Sequence, residues 1–334
     1  MVTQNELKAF YEIELKPKLL FFEEQRKRLV SKRKPLIIYG ILVIFAILTM
    51  KIAGNLETRD IPIVMTPKTE NMGGIVEFAI IIYLIAITIA IANFYLQMKS
   101  SYQAHFKKAI VGSLVTFIDQ NLSYAPDKTI SVDAFHTSQL FKQEYGYWGV
   151  DKFTSEDYVG GILDGTSVKF SEVHAQEEQG HGESSEYVTV FKGLFFIFDV
   201  NWDFEGITFI LPNDGELSVK KLLQLLKLAK PTLEREFIVH SDNPIIANYV
   251  FSTAFMQRLL ALRRRLKTPI YLSFVKGKLY MAIPVSEDLF EPPIFSTVLD
   301  FQFIQTTFEY MQLGKVIVEE LLTLMKQPQA IPKK

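Results

Sequence analysis

Leu36-Ile-Ile-Tyr-Gly-Ile-Leu-Val-Ile-Phe-Ala-Ile-Leu-Thr-Met50 and Phe78-Ala-Ile-Ile-Ile-Tyr-Leu-Ile-Ala-Ile-Thr-Ile-Ala-Ile-Ala-Asn-Phe-Tyr-Leu96 are the two stretches that decide the fold. The first meets no charge before Lys51, and the second carries none. β-Branched residues crowd both, yet strands usually run only about five or six residues, so length selects helix. With its flanks each run approaches the ~20 residues that cross a hydrocarbon layer. The expected element is a transmembrane helical hairpin over 35–97, with spans near 35–53 and 75–97.

The flanking charges orient this hairpin. Arg26, Lys27, Arg28, Lys32, Arg33 and Lys34 precede the first run, and Lys99, Lys107 and Lys108 follow the second. The intervening segment holds Lys51, Arg59 and Lys68. The positive-inside bias then puts both termini in the cytoplasm and residues from about Ala53 to Gly74 outside. The first apolar run begins too late and is too long for a cleavable signal, so it is expected to serve as its own uncleaved signal. Membrane lipids are the first partners this arrangement implies.

A chain of 334 residues leaves ample length for a cytoplasmic domain over 98–327 after a helical segment at 1–34. Thirty-six basic residues against thirty-seven acidic ones, with no basic stripe carrying stacking aromatics, argue against nucleic-acid binding. The absence of cysteine excludes disulfides, thiolate chemistry and cysteine-held metal.

Along the chain, Gln4 to Ser31 places Leu7, Tyr11, Leu15, Leu19 and Phe22 at helical spacing, and Pro17 is expected to split or kink it. Ser100 to Asn121 continues the second apolar helix, with Phe106, Ile110, Leu114, Phe117 and Ile118 on one stripe. A short helix is expected over 132–145. Strands are expected from Asp157 onward: Thr166 to Val173 after a turn at Asp164-Gly165, Tyr187 to Phe198, and Gly206 to Leu211. The polar stretch Gln176 to Ser185 reads as a connecting loop. Leu217 to Lys230 reads as a helix stopped by Pro231, and Phe237 to Val239 as a strand.

Ser241-Asp242-Asn243-Pro244 has the residues of a helix start. A second helix is expected over Ala254 to Lys267, lined by Phe255, Leu259, Leu262 and Leu266. Ile270 to Ile283 is the clearest hairpin, turning at Lys276-Gly277. Thr297 to Lys326 reads as one terminal helix opened by Thr297-Val-Leu-Asp300, and 328–334 as a disordered tail. Strands bracketed by helices give an α+β class with an antiparallel sheet flanked by helices.

Val190-Phe-Lys-Gly-Leu-Phe-Phe196, Phe237-Ile-Val-His-Ser-Asp-Asn-Pro244 with Ala247-Asn-Tyr249, Phe255-Met256, Ser273-Phe274 and Phe290-Glu-Pro292, following a paired hydrophobic hairpin, resemble a bacterial two-pass membrane family of unknown function. That family is DUF3137, sometimes labelled galanin-like. His240 and Asn248 stand where the pattern leads one to expect tyrosine and arginine. The resemblance implies a bacterial inner-membrane protein, working beside a LemA-type membrane protein, and it carries no catalytic residues or cofactor.

Chemical motifs are sparse. Gly160-Gly-Ile-Leu-Asp-Gly165-Thr-Ser167 has phosphate-loop glycine spacing, but Thr166 occupies the lysine position and a strand follows, which excludes it. His174 and His181 with Glu172, Glu177, Glu178 and Glu183 are a candidate divalent-cation set outweighed by the reading as a solvated acidic loop. His105 and His136 are isolated, and His240 with Asp242 is the one pair within acid–base reach. Arg258, Arg263, Arg264, Arg265 and Lys267 form a basic helix face, suited to anionic lipid or an acidic partner. The functional expectation is a non-enzymatic interaction domain held at the membrane. The alternatives are a membrane-anchored enzyme built on His240 and Asp242, or an accessory transporter subunit.

Overall fold

The structure is a computed structural model. It describes residues 2–57, 72–141, 149–180, 185–200, 206–213, 224–226, 231–243 and 253–325. The chain forms two compact units, each discontinuous in sequence. One comprises Tyr11–Phe106 with Pro292–Asp300, and the other Met1–Phe10, Lys107–Glu291 and Phe301–Lys334.

The first unit is a long helical pair. It begins with a π-helical turn, Tyr11–Leu15, that runs into α2 (Lys16–Glu57); the preceding helix α1 (Gln4–Phe10) belongs to the second unit. Pro17 therefore does not split the helix as the sequence suggested. Proline lacks the N–H that would bond the fourth residue back, and the wider π turn just before it absorbs the irregularity. Helix α2 also runs through Pro35. Helix α3 (Met72–Phe106) packs antiparallel to α2, since Phe22 meets Tyr102 at 6.2 Å and Phe106 at 5.3 Å between ring centroids.

Residues Pro292–Asp300 strap across α2 within this unit. The Arg26 guanidinium donates to both Glu23 carboxylate oxygens, at 2.9 and 2.7 Å, and to the Ile294 carbonyl at 2.9 Å. Glu23 Oε2 accepts the Val298 N–H at 3.1 Å and the Thr297 hydroxyl at 3.2 Å. Tyr11 donates to the Leu299 carbonyl, and the Arg33 guanidinium lies over the Phe295 ring.

The second unit is built on a sheet whose described strands number nine. These are β1 (Leu122–Ala125), β2 (Lys152–Leu163), β3 (Thr166–Gln179), β4 (Glu186–Asp199), β5 (Ile207–Pro212), β6 (Gln224–Leu226), β7 (Phe237–Ser241), β8 (Tyr271–Val275) and β9 (Lys278–Pro284). Their order across the sheet is β1-β2-β3-β4-β9-β8-β5-β7-β6, with every neighbouring pair antiparallel. This is a mixed fold of helices and antiparallel sheet. A second π-helical turn, Lys107–Val111, joins α3 to α4 (Gly112–Ile118). Helices α5 (Val132–Thr137), α6 (Pro231–Glu234), α7 (Thr253–Leu266), α8 (Phe301–Met311) and α9 (Leu313–Met325) complete the described elements.

Strand β4 is apolar on both faces because both faces are covered, so Leu194 to Phe198 is a continuous buried run. Phe195 and Ile197 point with Phe209, Val275 and Ala282 into a cluster closed by Ile130, Phe135 and Leu140. Phe196 and Phe170 lie on the opposite face, where α9 passes so close that a Cβ on Gly314 would sit 3.5 Å from Val168.

Several expectations are corrected. Strands β1 and most of β2 had been missed, and the glycines at 160, 161 and 165 belong to β2 and its hairpin turn. A Cβ on Gly161 would lie 2.0 Å from the Asn121 carbonyl oxygen, so close strand approach accounts for that glycine. Asp164 and Gly165 take the φ values of +47° and +82° that the tight hairpin requires. Strand β3 extends to Gln179, into the stretch read as a loop. The helix expected over 217–230 lies partly outside the described residues, but Gln224–Leu226 is a strand paired with β7. Pro231 opens α6 instead of closing a helix, as suits a residue with preset φ and no N–H. The terminal segment is two helices meeting at Gln312, and the first starts at Phe301, after Thr297-Val-Leu-Asp300 has served the strap.

Candidate functional site

The register of β2 and β3 builds the most concentrated polar chemistry in the second unit. Pairing passes from Glu156↔Glu172 to Val159↔Phe170, leaving Asp157 and Tyr158 as a bulge, and Asp157 takes a φ of +58°. The bulge buries the Asp157 carboxylate, which is 1% exposed. There it accepts the Tyr124 hydroxyl at Oδ1 and the Lys107 ammonium at Oδ2, the latter at 2.7 Å. Lys107 also reaches Glu291 at 2.5 Å and Glu156 at 3.6 Å. A buried carboxylate is tolerable only when paired in this way.

Glu172 faces the same cluster from β3. Its Oε1 accepts the Leu289 N–H at 2.7 Å. Burial pushes its carboxyl up to about 8, with Asp157 and Glu156 adding to the rise while the Leu289 N–H and Lys107 oppose it. Burial also raises Glu156, against the pull of Lys107. Ligand oxygens from Glu156, Asp157 and Glu172 lie within 4.8 Å of one another, a spacing compatible with a hard cation. In this arrangement Lys107 already supplies a cation, and the burial that raises the Glu172 carboxyl favours its neutral form. The cluster is a polar core in which one ammonium bridges three carboxylates.

The raised Glu172 carboxyl has a stability consequence. Above the unfolded value near 4.5 and up to about 8, the folded chain holds a proton that the unfolded chain releases, so stability falls as pH rises through this window. The accumulated cost is on the order of 3–5 kcal/mol. Glu172→Gln keeps the acceptor for Leu289 and is expected to flatten this pH dependence, with a higher melting temperature than the parent at pH 8.5. Thermal unfolding at pH 5 and 8.5 checks it, and parallel profiles for the two proteins would refute the assignment.

The histidine and acidic residues proposed from sequence as a cation set do not assemble as such among the described residues. His174 Nε2 sits 3.0 Å from the Thr189 hydroxyl, and burial lowers its pKa. Glu177 and Glu178 lie further along β3, paired with Val188 and Tyr187, while His181 and Glu183 lie outside the described residues. Among the described residues of that set, Glu172 alone joins the carboxylate cluster. Lys107, Tyr124, Asp157 and Glu291 were missed because they are scattered over 185 positions and no local motif joins them.

His240 and Asp242 stand two residues apart at the end of β7. His240 is buried in β7 opposite Phe209. The Asp242 carboxylate instead accepts the Ile207 N–H at 2.7 Å, fastening β5 to β7, and Ser241 hydrogen-bonds Thr208 at 2.7 Å. The Ser241-to-Pro244 helix start falls partly outside the described residues. His105 bonds back to the Ser101 carbonyl, and His136 closes α5.

The basic face of α7 divides by role. Arg258 and Arg265, seven residues apart on the helix, flank a groove of about 220 Å³ floored by Phe255, Leu259, Val316 and Ile317. Arg263 turns the other way: it donates to the Glu236 carbonyl, pairs with the Glu236 carboxylate at 3.5 Å and lies over the Phe237 ring. Arg264 is exposed, 4.0 Å from Glu236. Lys267 ends the helix with a φ of +54°, its N–H bonded to the Arg263 carbonyl.

A family model described as protein of unknown function (DUF3137) matches residues 189–322. The matched residues are less than half of the chain. The DUF3137 match starts inside β4 and ends in α9, so it includes both helices of the groove and stops short of Lys107, Tyr124, Asp157 and Glu172. No curated protein matches the chain. Among solved structures, the crystal structure of the mycobacterial trehalose monomycolate transport factor A, TtfA, is similar at 11% identity, over 69% of this chain and 97% of that one, with a TM-score of 0.34.

Proposed function

We propose that this chain is a bacterial inner-membrane protein whose two helices cross the bilayer over 35–53 and 75–97, with both termini in the cytoplasm. They hold the DUF3137 domain at the membrane as a non-enzymatic interaction module. The observation that carries this reading is the outward apolar surface of both helices. On α2, Ile44 and Phe45 are 68% and 63% exposed, as are Ile37, Ile38, Ile41, Leu42, Ile47 and Leu48 to lesser extents. On α3, Phe78, Ile80, Ile82, Tyr83, Ile89, Phe94 and Leu96 are similarly bare.

Each such side chain left in water forgoes roughly 1.5–3 kcal/mol, and together they cover a face wider than the ordinary amphipathic stripe. A bilayer removes that cost. Among the described residues, one helical stretch, Phe78–Ile118, is long and apolar enough to cross a membrane by length and composition. The run from Leu36 to Thr49 is equally outward-facing. The groove flanked by Arg258 and Arg265 is the surface we assign to a partner, an acidic protein segment of a membrane neighbour such as a LemA-type protein.

The chain has no cysteine, so single introduced cysteines report topology without background. In intact spheroplasts, Thr66→Cys is expected to react with a membrane-impermeant maleimide, and Asp127→Cys to react only after permeabilisation. Equal labelling of both before permeabilisation would sink the two-span arrangement.

A further inference from the structure

The helical pair holds a cavity that the interaction reading does not use. It lies between α2 and α3, has a volume of about 550 Å³, and is lined by Gln25, Arg28, Leu29, Gln97, Ser101 and Tyr102, with Met98 beside them. All of these residues belong to the helical unit. Tyr102 is 4% exposed, and its buried hydroxyl has no hydrogen-bond partner among the described residues. A buried hydroxyl without a partner is costly and calls for an account.

We propose that this cavity binds the headgroup of one anionic phospholipid of the cytoplasmic leaflet, with Arg28 as its cation and Gln25, Gln97 and Ser101 as neutral hydrogen-bonding groups. The assignment rests on the two-span reading. Depth supports it: Gln97 ends the second apolar run, and Ser101 stands about 6 Å beyond it at 1.5 Å per helical residue, where headgroups lie.

Charge supports it as well. Arg28 is 77% exposed in its side chain, and its ionic neighbour among the described residues is the solvent-exposed Glu24 at 4.0 Å, a distance at which a surface pair contributes little. By contrast, Arg26 is committed to Glu23 and Ile294, and Arg33 lies over Phe295, so Arg28 is the flank cation directed to the cavity. The Ser101 hydroxyl lies 3.4 Å from His105 Nδ1, a long contact that a phosphate oxygen can replace. Leu29, Met98 and the Tyr102 ring supply the apolar wall that the glycerol and upper acyl carbons of a lipid require and a free phosphate does not. Basic pockets between membrane helices on the cytoplasmic side are suited to anionic headgroups.

The test uses the full chain in nanodiscs of phosphatidylcholine with or without one-fifth phosphatidylglycerol, followed by gentle delipidation and native mass spectrometry. The parent is expected to retain one phosphatidylglycerol. Arg28→Gln and, independently, Gln97→Leu should lower that retention at least fivefold, while Arg264→Gln leaves it unchanged. Equal retention of the two lipids, or equal retention by the parent and both cavity variants, overturns the site while the two-span reading stands. A matching loss in Arg264→Gln overturns it in favour of diffuse attraction. Failure of the parent to enter nanodiscs overturns the two-span reading and the site with it.

Discussion

Lys107→Met is expected to destabilise the protein by about 3–5 kcal/mol, the usual consequence of removing one partner from a buried ion pair. The side chain is 10% exposed and faces Asp157 at 2.7 Å and Glu291 at 2.5 Å. Without it, Asp157 keeps the Tyr124 hydroxyl but loses its counter-charge, and must either take up a proton or admit water between β2 and the π turn. The companion change distinguishes pairing from mere packing. Asp157→Asn removes the stranded charge, so Lys107→Met with Asp157→Asn should lose clearly less than the sum of the two single losses, with a coupling above about 1 kcal/mol. Chemical unfolding followed by circular dichroism measures all four proteins. Strict additivity would mean that the ammonium and the carboxylate do not depend on each other.

Glu23→Ala is expected to loosen the 292–300 strap by about 3 kcal/mol. It leaves the Arg26 guanidinium with the Ile294 carbonyl alone and deprives the Val298 N–H and Thr297 hydroxyl of their acceptor. Amide hydrogen exchange at Val298 and Leu299 should accelerate about a hundredfold, the equivalent of that free energy. The Arg26 hydrogen bonds, set against burial and joined by the Val298 N–H, hold the Glu23 carboxyl down at about 2. A carboxylate lowered in the folded state contributes stability that is complete above the unfolded value of about 4.5 and is lost as pH falls toward 2. The parent strap should therefore open in acid between those values, and the Glu23→Ala strap should show no such step. Unchanged exchange at Val298 in the variant would show that the strap is held elsewhere.

The parts of the fold legible in sequence are those where one local rule acts alone. Lys276-Gly277 and Asp164-Gly165 gave their hairpins because a two-residue turn demands positive φ at both positions. The 36–50 and 78–96 runs gave long helices because nothing shorter accommodates them. Strand β2 was hidden because Gly160 and Gly161 mimic a loop, when their role is to let Asn121 and Tyr158 approach. Leu222, Leu223 and Leu226 fall at helical spacing in the sequence, yet Gln224–Leu226 pairs with β7 as a strand, where pairing prevails over propensity. The polar cluster was illegible for a related reason. Asp157 turns inward only because the register slips by a bulge, and neither that slip nor the arrival of Lys107 from 50 residues upstream is written in any local pattern.

The interleaving of the two units carries a consequence for biosynthesis. Residues 1–10 belong with the sheet unit, where Phe10 stacks on Phe117 at 4.0 Å and Gln4 bonds Gln305 at 3.3 Å. The helical unit in turn lacks its strap until residue 300 has been made. At 5–20 residues per second, the first ten residues wait roughly 15–60 s after leaving the ribosome for the segment that finishes their surroundings. Ordinary amino-first domain folding is closed to this protein, because each unit waits for a segment beyond residue 290.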